Sequence, residues 1–425
     1  MVNNSKQYNI LIVTFLCPYP VSDGGRFAVF SFVNDIRKLF NATIVFKVPP
    51  DEKQHVEALR QIWPEVDIRP FYSRNAIKNH AAKEKRNVLR KIVLPVIKFK
   101  HRQRAKRDAK RRAIRHQLYP FVPVERTFVD FLEQIFAQKK FDIVQTEYSN
   151  MLSLVHIIPA TAKKVFFQHE NRYAILQDYF NVHNDKSAYA SYVVGTVKFT
   201  EMNLMNLYDR ILVLNSSDEA RLSEYIPAYK IQTMPTSVPE TLIPKCTPSP
   251  KAARLVFMGS QNHQPNVDAV EWFAGEMLDK VLKQTGLPFY VTGKWKDSFR
   301  ARYPKVKFTG FVDDIGSELE GGILVAPIRL GGGGIRIKIL QAMACGIPVV
   351  ATSLITDGIT GIEQEKNIFI ADTAAGFIKA ISVLAGNDDI YSTVSKNAKE
   401  LVETYYSEKN AFKIKEKIFY ELLNN

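Results

Sequence analysis

Residues 331–334 are four consecutive glycines, and they run directly into Ile335, Arg336 and Lys338. Over 335–345 the apolar residues Ile335, Ile339, Ala342 and Met343 recur at helical spacing, and 347–351 is a short β-branched run suited to a buried strand. A glycine loop that opens a helix presents free backbone N–H groups and the positive end of the helix dipole. Two cations beside that end make an anion the natural ligand. A glycine run also forms wherever a tight turn needs φ > 0, so the loop alone does not decide between a turn and a site. Neither GxxxxGK[ST] nor G-x-G-x-x-G with a downstream acid is present, so an anion here is held in some other way.

The elements that must position this loop are legible in the rest of the chain. Strand-like apolar runs fall at 9–14, 42–47, 141–145, 164–168 and 210–214, then at 254–258, 288–292, 306–309, 322–326, 347–351 and 367–371. Helical spacing is clearest after Pro265, with Val267, Val270, Phe273, Ala274, Met277, Leu278 and Val281 on one face. Strands alternating with helices predict parallel sheets covered on both faces. Eleven strands exceed an ordinary open sheet, which predicts two doubly wound domains. Residues 234–250 hold five prolines in 17 positions and read as a linker. The expected organisation is therefore an N-terminal domain at 1–233, a C-terminal domain at 251–395, and a terminal amphipathic helix over 396–425 crossing back to the first. Ligands of such sheets sit beyond the carboxyl ends of the strands, so the glycine loop is expected to line a cleft between the domains.

Composition narrows the class. With 46% hydrophobic and 24% charged residues, the chain has the make-up of a globular protein. It contains no apolar run near the about 18 residues of a membrane-spanning helix. The run from Ile10 to Leu16 lacks a basic start and a cleavage site, and reads as a first strand rather than a signal peptide. Three scattered cysteines, Cys17, Cys246 and Cys345, argue against a disulfide framework or a zinc site and fit a reducing cytoplasm. The net charge of +15 is localised: between Arg74 and Arg115 there are 17 Lys and Arg against Glu84 and Asp108, a surplus equal to the excess of the whole chain. That insertion, 74–116, has Phe99 as its one aromatic after Arg86, so it lacks the stacking platforms of a single-strand binder, and no nucleic-acid partner is expected.

Several segments together resemble the retaining glycosyltransferases of family four, which have the GT-B fold. The likeness spans most of the chain and is strongest from 254 to about 385. "GSQNHQPNVDAVEWF" (259–273) looks like that family's first C-terminal strand and turn, and "TGFVDDI" (309–315) looks like its base-contacting loop. "VAPIRLGGGGIRIKILQAMACGIPVVAT" (325–352) looks like the donor-diphosphate loop and following helix. "PYPVSDGGR" (18–26), "FQHENR" (167–172) and "YDRILVLNSSDEARL" (208–222) match the N-terminal glycine loop, histidine and last strand.

The resemblance implies two Rossmann-like domains and transfer of a sugar from a nucleotide-diphosphate sugar to an acceptor hydroxyl with retention. No metal or cofactor is implied. Arg336 and Lys338 would stabilise the leaving diphosphate and His169 would contact the sugar. Gly333, Gly334, Ile335, Gln341, Phe311, Val312, Ser260 and Asn262 would bind the donor. Gly24 and Gly25 would form the acceptor or phosphate loop. Two positions depart from the family's paired glutamates, Gly333 and Gln341. A glutamine oxygen still accepts a hydrogen bond from a ribose, without the charge that strengthens it. Glu170 is the runner-up catalytic group, and Asp313 with Asp314 reads as a helix cap rather than a metal pair. A GT-B epimerase or phosphorylase, and a nucleotide-sugar-binding subunit without activity, remain as alternatives.

The expected setting is bacterial surface-glycan assembly, on a glycan or lipid-linked acceptor, at the cytoplasmic face of the membrane. Over 83–115, Leu89, Ile92, Val93, Val96 and Ile97 share one helical face flanked by cations, with Pro95 precluding a single straight rod. Such a helix is expected either to pack on its domain by that face or to lie in a membrane interface, where each cation near anionic lipid contributes about 1 kcal/mol. In liposome flotation at low salt the protein is expected to float with anionic vesicles and not with neutral ones. Absence from both contradicts the expectation.

Overall fold

The computed structural model describes residues 7–21, 23–49, 52–72, 123–182, 184–243, 246, 249–312, 315–330 and 337–424. The loop 331–336, the pair Asp313 and Asp314, and the basic segment with its interfacial helix over 83–115 lie outside the described residues. The chain divides into two compact units, Met1–Val213 with Leu222–Gln232 and Phe419–Asn425, and Leu214–Arg221 with Thr233–Ile418.

The first unit is built on β1 (Asn9–Thr14), β2 (Asn41–Val48), β3 (Asp67–Tyr72), β4 (Ile143–Glu147), β5 (Lys163–Gln168), β6 (Arg210–Val213) and β7 (Ile231–Thr233). Their order in the sheet is β3-β2-β1-β4-β5-β6-β7. The second is built on β8 (Arg254–Met258), β9 (Phe289–Thr292), β10 (Val306–Gly310), β11 (Gly322–Ala326), β12 (Val349–Ala351) and β13 (Phe369–Ile370), in the order β10-β9-β8-β11-β12-β13. In both sheets the order reverses beside the first strand of the unit, the doubly wound arrangement. Pairing is parallel, as between β1 and β4 from Ile10–Ile143 to Val13–Thr146. Helices cover both faces, so central strands such as β4 and β11 are buried along their whole length. The α/β class and the two parallel sheets expected from the alternation are both present.

Local chemistry sets the ends of the helices. Asp23 caps the helix Gly24–Ile36 by accepting from the Arg26 N–H at 3.0 Å. Ser187 caps Ala188–Asn206 in the same way, and Pro265 stands in the first turn of Gln264–Trp272. Gly286, at φ +69°, ends Leu278–Thr285 in a left-handed conformation that other residues resist.

Three features differ from the sequence expectation. β3 and β7 were not expected. "DIRPFY" carries a proline and belongs to a sheet edge, and "IQT" is too short to show a period. The apolar face from Val267 to Val281 is one stripe, but its helix is interrupted by a π turn at Phe273–Met277. The terminal helix is two helices, Asp388–Tyr405 and Glu408–Asn424. The break falls at Tyr406, whose carbonyl accepts from Val238 N–H at 2.8 Å and whose hydroxyl accepts from Thr360 N–H at 2.7 Å. Those two tertiary bonds draw the backbone out of the helix.

The last residues complete the core of the first unit. Phe419 is fully buried, with its ring 6.0 Å from Phe32 and 5.8 Å from Phe40. Truncating a buried phenylalanine removes its transfer free energy and leaves a cavity, so Phe419→Ala is expected to lower stability by about 3–5 kcal/mol. Chemical denaturation checks this, and a loss below about 0.5 kcal/mol, the range of an exposed position, contradicts the packing.

Candidate functional site

In the second unit the site is built around the carboxyl end of β8. The Lys338 ammonium, in the first turn of the helix Ile337–Ala344, donates to the Met258 carbonyl at 2.5 Å. Trp295 Nε1 donates to the Gly259 carbonyl at 2.8 Å, and Asn266 Nδ2 to the Ser260 carbonyl at 2.9 Å. Three consecutive carbonyls are thus fixed by three side chains from three other segments. The backbone here is also pressed close. A Cβ on Gly293, which sits at φ +94°, would meet the Gly259 carbonyl oxygen at 2.5 Å, so no larger residue fits. A cation from the first turn of a helix therefore lies against the end of β8, and it favours a negatively charged ligand.

Of the other donor residues expected from the sequence, Phe311, Val312, Asn262 and Gln341 are among the described residues. Phe311 follows β10 and is 62% exposed, with Lys294 over its ring at 5.8 Å, so an aromatic face is presented for stacking. Val312 is half-buried beside it, and Asn262 is exposed in the turn after β8. Gln341, half-buried, stands one turn beyond Lys338 on the same side of the helix. Gly333, Gly334, Ile335 and Arg336 lie outside the described residues. Arg329, unremarked in the sequence, grips Asp268 with two nitrogens at 2.8 and 3.2 Å and lies over the Trp272 ring at 4.3 Å. That clamp fixes the chain two residues before the glycine run.

In the first unit a buried polar chain closes the carboxyl ends of β4 and β5. Glu147 is fully buried and accepts from Gln145 Nε2 at 2.8 Å and from His169 Nε2 at 3.2 Å. A carboxylate in this position requires such partners, because an unpaired buried charge is strongly disfavoured. His169 itself is 9% exposed, and its ring lies flat against Tyr148 at 4.1 Å and 12°. Glu170 is turned away from this chain to Arg172, at 2.7 Å. Gly24 and Gly25 open the helix after β1, where Arg26 ties the loop together by donating to the Cys17 and Tyr19 carbonyls and to Glu52 at 2.7 Å.

The sequence reading missed Glu147, Tyr148 and Glu201. A glutamate closing the apolar run "FDIVQ" was the available signal for Glu147. Glu201 had none, since it lies on a helix remote in sequence from its partners. It is fully buried and accepts from the Arg172 N–H at 3.2 Å and the Tyr173 N–H at 3.3 Å, so it caps the helix Arg172–Val182 that follows His169. Burial pushes its carboxyl up to about 7, against the two backbone N–H groups and the Arg172 charge, which lower it. Among the described residues no group of three or more His, Cys, Asp or Glu is placed to hold a metal ion, and no helix is long and apolar enough to cross a membrane.

Residues 252–387 match the family described as glycosyl transferases group 1, so the second unit carries a glycosyltransferase domain. Over 420 residues the chain is 20% identical to an uncharacterized protein of the cps region of Klebsiella pneumoniae, spanning 95% of this chain and 97% of that one. Among solved structures it is similar to TarM of S. aureus, with a TM-score of 0.68, 11% identity and full coverage of both chains. It is also similar to Anabaena HepE in complex with UDP-glucose, with a TM-score of 0.64, 14% identity, and coverage of 97% of this chain and 100% of that one. At such identities the structural likeness shows the fold, and the GT-B class expected from the sequence is the class found.

Glu201 generates a pH dependence. Its carboxyl titrates near 7 when folded and in the ordinary range, near 4.5, when unfolded, so between those values the folded state keeps a proton the unfolded state has lost. Its contribution to stability is full below about pH 4.5 and is lost as pH rises through about 7, an effect of order 3 kcal/mol. Glu201→Gln is therefore expected to gain stability relative to the wild type as pH rises from about 5 to 8. Parallel melting curves across that range leave no room for the proton.

Proposed function

We propose that the protein transfers a sugar from a nucleotide-diphosphate sugar to an acceptor hydroxyl, with retention at the anomeric carbon, in bacterial surface-glycan assembly. The observation that carries this reading is Lys338: a cation at a helix N-terminus, held against the end of β8 by the Met258 carbonyl, inside the matched glycosyltransferase domain. The HepE complex with UDP-glucose supports a nucleotide-sugar donor, and the cps-region relative supports a surface glycan as the product.

In this reading the nucleoside diphosphate departs with growing negative charge, and Lys338 and Arg336 stabilise it more in the transition state than in the ground state. Phe311 and Val312 flank the base, Ser260 and Asn262 contact the phosphates, and Gln341 accepts from the ribose. The backbone at Gly333, Gly334 and Ile335 approaches the diphosphate. His169, with Nε2 turned to Glu147, offers Nδ1 to the sugar. The anomeric carbon–phosphate oxygen bond breaks, and the bond to the acceptor oxygen forms on the same face. The acceptor proton goes to the departing phosphate oxygen, so no protein base and no metal are required. The acceptor, a glycan or a lipid-linked sugar, engages the first unit near Gly24 and Gly25. The basic segment holds the enzyme at an anionic cytoplasmic surface.

A hydrogen bond to a charged group is worth about 1.5–3 kcal/mol, so Arg336→Ala and Lys338→Ala are each expected to lower kcat/KM by about one to two decades with near-normal melting. Gln341→Ala is expected mainly to raise KM for the donor, since ribose contacts persist from ground state to transition state. Steady-state kinetics of the three variants on the best donor test this. Wild-type kinetics in both cation variants removes the loop and its helix from the chemistry. Product NMR tests retention, and an inverted anomer excludes same-face transfer.

A further inference from the structure

Tyr148 combines three features that the packing of the unit does not require. Its backbone sits at φ 68° and ψ 148°, a region side-chain-bearing residues rarely enter. Its hydroxyl is buried without a hydrogen-bond partner, a cost that phenylalanine at the same place would not carry. Its ring lies face-on against His169 at 4.1 Å, while Phe15 meets it edge-on at 4.9 Å. The ring is therefore held between two others.

The hydroxyl ends at Gly25. A Cβ built on Gly25 would meet the Tyr148 hydroxyl oxygen at 2.8 Å, closer than real Cβ contacts come. The next nearest atoms are Asp23 Oδ1 at 3.3 Å and Leu16 Cδ2 at 3.7 Å, so without that hydroxyl a methyl group would nearly fit. At Gly24, one residue earlier, nothing lies within 4 Å. Gly25 is not among the glycines with positive φ, and it stands in the first turn of a helix, where alanine is the better helix former. Neither backbone conformation nor helix propensity requires glycine at 25. The Tyr148 hydroxyl does.

We propose that Tyr148 is a positioning residue that couples the first turn of the helix Gly24–Ile36 to His169: Gly25 is glycine in order to seat the Tyr148 hydroxyl, and the seated ring fixes the imidazole. This rests on the reading of His169 as the group that meets the sugar. It replaces a direct approach of the Gly25 backbone to substrate with an indirect role through two stacked rings. Glu147 fixes the imidazole from its Nε2 edge and Tyr148 from its face, so the pair defines both the position and the plane of the ring.

The coupling is tested by a double-mutant cycle of Gly25→Ala and Tyr148→Phe. The primary readout is the carbon–proton correlation spectrum of the histidine rings, with His169 assigned by its loss in His169→Gln. A ring stacked face-on shifts the His169 signals upfield. Gly25→Ala is expected to displace them, and the double variant to return them to the position seen in Tyr148→Phe alone, because removal of the hydroxyl removes the clash. In the transfer assay Gly25→Ala is expected to lower kcat/KM by about 10- to 100-fold, as small misplacements of a positioned group do, and added Tyr148→Phe to recover most of that loss. Melting curves establish that each variant is folded. His169 signals that stay in place in Gly25→Ala, or a double variant as displaced as Gly25→Ala, overturn the proposal. If no donor supports transfer, the functional reading fails and the spectra still decide the coupling.

Discussion

Parallel strand pairing is the constraint from which the rest of this protein follows. Each strand must be fed back by a helix to the same starting edge, so every carboxyl end in a sheet opens on one side. Met258, Gly310 and Ala326 end three strands of the second sheet, and the residues after them are the donor residues of the proposed reaction. Glu147 and Gln168 end two strands of the first, and His169 follows directly. Phe311 and His169 follow their strands directly. The sheets bring them there, and burial of whole strands such as β4 and β11 makes the placement rigid.

At those edges the energetics change character. The sheet interiors are apolar, whereas the ends concentrate groups that need partners. Glu147 and Glu201 are both fully buried carboxylates, and they meet that requirement differently. Glu147 has side-chain donors in Gln145 and His169, whereas Glu201 is satisfied by the first N–H groups of a helix and has its carboxyl raised to about 7. In the second unit the corresponding feature is a row of backbone carbonyls, each accepting from a side chain. Lys338 belongs to that row. Its ammonium donates to the Met258 carbonyl and so is held at the end of β8.

Much of this was legible in the sequence, for physical reasons that can be named. The central strands announce themselves as continuous apolar runs, because both faces of a parallel sheet are covered. The edge strands β3 and β7 do not, since "DIRPFY" carries a charge and a proline and "IQT" is three residues long. Lys338 was legible because glycines and cations sat together before a helical pattern. Its carbonyl partner was not, because Met258 is 80 residues away. Glu201 and Tyr148 were invisible for a related reason: a buried carboxylate or hydroxyl acquires its meaning from neighbours that only the fold supplies. The split of the terminal helix at Tyr406 has the same origin, in bonds from Val238 and Thr360.

The central claim is that Lys338 and the helix it opens receive the diphosphate of a nucleotide sugar without a metal ion. The most direct measurement is the phosphorus NMR of UDP titrated with protein in the presence of EDTA, compared with Lys338→Ala. The account predicts that the β-phosphate signal shifts on binding, that EDTA does not abolish the shift, and that it is lost or much weakened in the variant. A β-phosphate signal indifferent to the protein, or a shift identical in Lys338→Ala, contradicts it.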